Sequence, residues 1–297
     1  MQPSPVVRIF VVFEPSYAFG CLTLLSSLAR HASRPVAVDI LMRRQYQPAA
    51  NKVISRLKSE YGERIILRRI IVPPVILEQC EAFEFKAHFI PEILFRLYYF
   101  ELVAEPCDYA IHLDLDMIVL GDIFSIAQDL SPPALLHAVE DVMTASSRSA
   151  LPPHMTRYLN SGLLAFDATD RKALVTTLRT AREKVAEIAG TALFLDQDAI
   201  NIAFHDRTHY LPGKWNFTLG RFEGHPIPAD TMVLHATGSR KPWFFRGGHP
   251  YSAWYEKEAD LLRLSFSERY DFKWMPRRLV KKAKGLLAGY AASLQTQ

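Results

Sequence analysis

Ile111-His112-Leu113-Asp114-Leu115-Asp116-Met117-Ile118-Val119 is an apolar run into which two acids are set one residue apart. Side chains at i and i+2 of an extended backbone share a face, so Asp114 and Asp116 are expected side by side while Leu115 turns back into the core. Neighbouring carboxylates repel, and placing a pair at the end of a buried strand is unfavourable unless a cation or hydrogen-bond donors compensate. Hard oxygen ligands suit Mg²⁺ or Mn²⁺, either of which can bridge nucleotide phosphates. Asp-x-Asp is also common in surface turns, where the acids are simply solvated. The apolar flanks are what distinguish this pair.

Outward from this stretch, short apolar runs alternate with segments of helical period. Val6 to Phe13 reads as a buried strand, and Tyr17 to His31 follows with Leu22, Leu24, Leu25, Leu28 and Ala29 at helical spacing. Val36 to Met42 is a second strand, Pro48 to Tyr61 a helix, and Arg64 to Val72 a third strand that stops at the breaker Pro73-Pro74. Ile90 to Val103 has the pattern of a strongly amphipathic helix. Tyr109 to Asp114 then reads as a central strand, Met117 to Leu120 as its short extension, and Ala134 to Glu140 and Gly162 to Asp167 as further strands. Strands alternating with helices predict an α/β fold with a mostly parallel sheet and helices on both faces. Ligands of such sheets bind beyond the carboxyl ends of the strands, where the strand order switches.

A second candidate is His235-Ala236-Thr237-Gly238-Ser239-Arg240-Lys241-Pro242-Trp243, after the apolar Met232-Val233-Leu234. An imidazole at a strand end can complete a carboxylate metal site, a glycine lets the backbone approach phosphate, and a lysine supplies a mobile positive charge. A lone histidine is more often structural; His, Gly and Lys together are harder to read that way.

The chain's 297 residues suffice for one large α/β domain, and 49% hydrophobic with 22% charged residues excludes disordered, collagen-like and coiled-coil classes. No repeat is visible. The longest apolar stretches, Val6 to Phe13 and Ile70 to Leu77, fall short of the roughly 20 residues of a spanning helix. The first of them lacks a basic preamble and a small-residue cleavage site, so no secretory signal is read and cytoplasmic residence is expected. Cys21, Cys80 and Cys107 stand far apart without a CxxC pair, as buried reduced thiols do. Arg277, Arg278, Lys281, Lys282 and Lys284 account for more than the whole net charge of +4. The body therefore lacks the basic face of a nucleic-acid binder. Arg278, Lys281, Lys282 and Lys284, with Leu279, Ala283, Leu286, Leu287 and Tyr290 near helical spacing and Tyr270, Phe272 and Trp274 ahead of them, have the composition of an interfacial membrane helix, and also that of a terminal helix packed on the domain or a frayed basic tail. A catalytic domain over residues 1–265 and a basic amphipathic tail over 266–297 are expected.

In these motifs the chain resembles the retaining nucleotide-sugar glycosyltransferases of family 8, which include bacterial lipopolysaccharide galactosyl- and glucosyltransferases and glycogenin. The resemblance runs through most of residues 7–243: Phe13-Glu14-Pro15-Ser16-Tyr17, Arg96, Leu113-Asp114-Leu115-Asp116, Tyr158-Leu159-Asn160-Ser161-Gly162, Asp196-Gln197-Asp198 with Asn201, and His235 to Trp243. It implies a GT-A fold, a UDP-sugar donor, and Mn²⁺ or Mg²⁺ held by Asp114, Asp116 and His235. It also implies Glu14, Ser16, Tyr17 and Leu115 around the nucleoside, with Tyr17 against uracil, and Gly238 and Lys241 on the phosphates. Arg96, Asn160, Asp196 and Gln197 would surround the sugar, with Asp196, Gln197 and Lys241 the catalytic candidates and a glycan or glycolipid as acceptor. Each has a plainer reading: Tyr17 as a helix start, Arg96 as a solvated or salt-bridged residue on an otherwise apolar helix, Asn160-Ser161-Gly162 as a turn before a strand, Asp196 as a helix N-cap with Asp198 complementing the dipole.

Two departures stand out. Glu14 replaces the Asp usual in relatives, and His112 replaces an aromatic residue two positions before the first acid, which reads as a packing change that does not touch the metal triad. A sugar nucleotidyltransferase would need a glycine-rich loop after the first strand, and Phe13 to Tyr17 has no glycine. A glycogenin-like self-glucosylating protein and a non-catalytic nucleotide-sugar-binding homologue remain alternatives. Acceptor contacts are expected from Val142 to Arg157 and Arg221 to Ala229.

Overall fold

β1 (Val7–Val12), β2 (Val36–Met42) and β3 (Ile65–Ile71) are Val- and Ile-rich strands that pair in parallel. β4 (Tyr109–Leu113) joins the other side of β1, also in parallel, with Phe10 opposite His112. The sheet then reverses: β7 (Leu159–Asp167) runs antiparallel to β4 and to β6 (Leu136–Glu140), and β8 (Thr208–Leu211) closes the edge parallel to β6. The order β3-β2-β1-β4-β7-β6-β8 places the switch point between β1 and β4, so their carboxyl ends open one crevice. The computed structural model describes residues 5–83, 90–142, 155–189, 192, 194–222, 226–244 and 249–270.

Met117 to Leu120 does not extend the central strand. β5 (Met117–Val119) leaves the main sheet and forms a second one with β9 (Phe217–Thr218) and β10 (Val233–His235), in the order β5-β10-β9. All three β5 side chains are buried. The Val119 N–H donates to Ser27 Oγ at 3.0 Å, which ties this sheet to the first helix.

Besides a single helical turn at Leu219–Phe222, the α-helices that accompany the main sheet are α1 (Ala18–His31), α2 (Gln47–Tyr61), α3 (Pro74–Glu81), α4 (Tyr99–Leu102), α5 (Arg171–Ile188) and α6 (Leu195–Phe204). Pro73-Pro74 ends β3 as expected and also begins α3, since proline suits the first helical turn. The amphipathic helix expected over Ile90 to Val103 is instead a 3₁₀ segment, Pro91–Tyr98, followed by the single turn of α4. Glu92 and Leu94 to Tyr98 are all buried, so surrounding protein rather than an i→i+4 ladder holds this segment. The core is aromatic: Phe10 stacks on Tyr99 with centroids 3.9 Å apart, and Phe166 contacts Phe10, Phe100 and Phe204.

The chain divides into two compact units, Met1–Thr237 and Gly238–Gln297. Within the second, α7 (Ser252–Leu261) packs Tyr255 against Trp243, and α8 (Phe266–Arg269) starts with a capping box of Ser265 and Glu268. No helix among the described residues is long and apolar enough to cross a membrane. The basic tail beyond Tyr270 lies outside the described residues.

Candidate active site

The turn Asp114-Leu115-Asp116 links the two sheets and is bonded to both. The Asp114 N–H donates to the Gly162 carbonyl of β7 at 2.8 Å, and the Asp116 carbonyl accepts from Ala236 N–H, just past β10, at 2.9 Å. Antiparallel pairing sets His235 opposite Met117, which brings the imidazole over the turn. His235 Nε2 is 3.2 Å from Asp116 Oδ1 and 3.8 Å from Asp114 Oδ2, and one ligand atom from each residue falls within 4.8 Å of the others. Asp116 and His235 are buried, Asp114 is half-buried, and Leu115 between the acids is buried. Two carboxylates and one imidazole nitrogen at this spacing suit Mn²⁺ or Mg²⁺ with positions left for phosphate oxygens. The donor set fits a divalent cation.

A buried positive charge backs the acids. The Arg96 guanidinium is buried; its Nη2 lies 3.1 Å from Asp114 Oδ1 and its Nη1 3.5 Å from Asp196 Oδ2. Its remaining N–H groups donate to the carbonyls of Ile93 at 3.0 Å and Ser161 at 2.8 Å. Burial opposes the charge on Arg96, but Asp114, Asp196 and Asp116 outweigh it and raise its pKa. Burial likewise opposes the Asp114 carboxylate, while Arg96 and His112 bring its pKa below the ordinary value. Asp196 goes the other way: burial, reinforced by Asp114 and only partly relieved by Arg96, pushes it up to about 6.

His112 is more than a packing change. Its Nε2 is 3.1 Å from Asp114 Oδ1, so the ring holds a carboxylate of the candidate metal site. Burial and Arg96 lower its pKa to about 4, which keeps the imidazole neutral and its Nε2–H a donor.

The motifs around Asn160 and Gln197 interlock. Asn201 in α6 accepts from Leu159 N–H at 2.7 Å and donates to Leu159 O at 3.0 Å, as a neighbouring strand would. The Ser161 N–H donates to Gln197 Oε1 at 2.9 Å, and Tyr158 OH bonds the Asp198 carboxylate. Asp198 also accepts from Phe194 N–H at 3.0 Å. Asp196 is not the N-cap, since α6 begins at Leu195 and Phe194 holds that position. The Gln197 amide oxygen is thus oriented by the backbone and retains a second lone pair.

Glu14, Ser16 and Tyr17 follow β1 at the switch point. Pro15–Tyr17 is a 3₁₀ turn capped by Glu14, whose Oε2 accepts from Ser16 N–H at 3.1 Å. Tyr17 is half-buried, Ser16 exposed. Gly238 and Lys241 belong to the second unit; Gly238 has φ +92°, a conformation natural to glycine, and Lys241 is buried. Most of the expected acceptor loop from Val142 to Arg157 lies outside the described residues, as do 223–225 of the other.

Residues 8–247 match the model of glycosyl transferase family 8. The chain belongs to that family. This family 8 glycosyltransferase is 26% identical over 274 residues to lipopolysaccharide 1,2-glucosyltransferase of Escherichia coli (strain K12), covering 86% of this chain and 78% of that protein. It is 20% identical over 260 residues to lipopolysaccharide 1,3-galactosyltransferase of Salmonella typhimurium, covering 82% and 74%. The structure of galactosyltransferase LgtC with donor and acceptor sugar analogues superposes with TM-score 0.69 at 19% identity, over 93% of this chain and 99% of that one. The GT-A fold is shared.

Two residues of this candidate site were not read from the sequence. Asp141 Oδ2 accepts from Asn160 Nδ2 at 3.2 Å and Gln197 Nε2 at 3.1 Å; its signal was its place just past the carboxyl end of β6. Asn216, wholly buried beside β9, had no signal beyond being a polar residue between Trp215 and Phe217.

Proposed function

We propose that this glycosyltransferase moves glucose or galactose from a UDP-sugar to a glycan or glycolipid acceptor, with retention of configuration, in the assembly of lipopolysaccharide or a surface polysaccharide. The observation that carries the reading is the cluster Asp114, Asp116 and His235 set directly against the buried Arg96–Asp196 pair. The relatives' names, a glucosyltransferase and a galactosyltransferase of lipopolysaccharide, support the substrate class. Mn²⁺ or Mg²⁺ on Asp114, Asp116 and His235 would supply Lewis-acid neutralisation of the departing diphosphate.

The chain's own residues have separable tasks in this reading. Glu14, Ser16, Tyr17 and Leu115 hold the nucleoside at the switch point, and Gly238 and Lys241 engage the phosphates. Arg96 fixes the Asp114 and Asp196 carboxylates while Asn160 and Asp196 orient sugar hydroxyls. The Gln197 amide oxygen offers its second lone pair to the electron-poor anomeric carbon as the bond from that carbon to the diphosphate breaks; the acceptor hydroxyl attacks from the face the diphosphate leaves, and an oxygen of the departing diphosphate takes the hydroxyl proton. The basic tail lends peripheral attachment to an anionic cytoplasmic membrane surface.

The test is UDP release from a panel of UDP-sugars without acceptor, with Mn²⁺ and with chelator. Slow Mn²⁺-dependent hydrolysis of one hexose donor is expected; absence of both turnover and UDP binding overturns the proposal.

A further inference from the structure

Metal ligation by His235 through Nε2 requires the proton of the neutral ring to sit on Nδ1, and the tautomer of a histidine is set by what its other nitrogen meets. His235 Nδ1 lies 2.9 Å from Asn216 Oδ1. Which end of the Asn216 amide faces the ring follows from a chain of bonds that ends on the backbone. The Gly162 N–H can only donate, and it donates to Asn160 Oδ1 at 3.0 Å. That fixes Asn160 Nδ2 as the donor to the Asp141 carboxylate. Asn216 meets the same Asn160 oxygen at 2.8 Å and must present Nδ2 to it. Its Oδ1 therefore faces His235 and accepts from Nδ1–H, so Nε2, which lies 3.2 Å from Asp116 Oδ1, is the nitrogen left for a cation, whose binding displaces any proton carried there.

The fit of the ring is steric as well. A Cβ on Gly162 would lie 2.2 Å from His235 Cε1 and 2.7 Å from Nδ1, so the imidazole occupies space that any side chain at 162 would take. The residue that starts the relay also seats the ring.

We infer that Asn216, oriented by Asn160 and the Gly162 N–H, is a positioning residue that holds His235 in the Nδ1–H tautomer for divalent-cation binding, and that Gly162 is required for the ring's seat. The inference rests on the metal assignment to Asp114, Asp116 and His235. Asn216 contacts no proposed ligand position itself; it acts through His235.

The test pairs imidazole ¹⁵N spectra of the protein saturated with diamagnetic Mg²⁺ with titrations of Mn²⁺ alone followed by electron paramagnetic resonance. In the wild type, His235 should show a protonated Nδ1 and an unprotonated Nε2. Asn216→Leu should populate the other tautomer and weaken Mn²⁺ binding about 10- to 100-fold. Gly162→Ala should weaken it comparably by displacing the ring. A wild-type ring protonated at Nε2 overturns the inference without any variant. Wild-type Mn²⁺ affinity in Asn216→Leu overturns it as well, and Asp114→Asn separates the causes: affinity lost there but kept in Asn216→Leu sinks the relay alone, affinity kept in both sinks the metal assignment too.

Discussion

Arg96 Nη2 lies 3.1 Å from Asp114 Oδ1, so a carboxylate that faces the candidate metal position is gripped from behind by a buried cation. Removing one member of such a group leaves uncompensated charge in the interior. Arg96→Met should cost about 3–5 kcal/mol of stability. Arg96→Lys should recover little, because a point charge cannot reach two acids and two carbonyls at once. Urea unfolding measures both, and an Arg96→Met chain as stable as wild type would show the charges to be solvated instead.

Asp196 gives a pH dependence whose sign is opposite to that of an ordinary paired acid. Its folded pKa of about 6 exceeds the ordinary 3.8, so between those values the folded state binds more protons than the unfolded. Stability from this group is greatest at low pH, falls as pH rises from about 4 to 6, and then levels, roughly 3 kcal/mol lower. His112, lowered to about 4, contributes the reverse slope over an overlapping range, so the wild-type curve alone conceals both. The difference between wild type and Asp196→Asn isolates one. In metal-free protein Asp196→Asn should gain on wild type as pH rises from 4 to 7, by thermal melts across that range, while losing turnover; a constant difference counts against the shift.

Asp114→Asn and Asp116→Asn should each lower Mn²⁺-dependent UDP release by roughly 100-fold or more, several kcal/mol of leaving-group stabilisation. His112→Phe, which removes only the donor to Asp114, should weaken Mn²⁺ binding about tenfold. Equal effects from all three would place His112 among the ligands, and no effect from His112→Phe would restore the reading of that position as packing.

Asn201 stands in for a strand at Leu159. Asn201→Leu strands a buried N–H and C=O together, and should destabilise by roughly 2–4 kcal/mol. Chemical denaturation reads the loss; a neutral substitution would mean water replaces the amide.

Deleting residues 273–297 should release the enzyme from anionic vesicles and leave acceptor-free hydrolysis of the donor unchanged. Sedimentation with vesicles measures this, and retained binding removes the tail from the membrane proposal.

The layout of the main sheet was legible because its strands are long, β-branched and spaced by helices, as in Val36–Met42, where reading and structure coincide. The 3₁₀ segment Pro91–Tyr98 was not, because periodicity reports an apolar stripe and cannot tell a surface helix from a wrapped one. β5 failed for a related reason: three apolar residues after a turn carry no mark of the sheet they join. At the site, motif residues could be named since carboxylates and imidazole announce their chemistry. Asn216 and Asp141 could not, because their importance lies in what they touch.

The linkage of the Asp114-Leu115-Asp116 turn to Ala236 has a consequence for biogenesis. The carboxylates are synthesised long before the imidazole, and β10 must dock antiparallel to β5 before the three ligands meet. Assembly of the candidate metal site is thereby deferred to a late, non-local step of folding. Under the proposed metal assignment, a nascent chain halted ahead of β10 carries two acids without their third ligand, and affinity for the ion would arise only once the smaller sheet has closed.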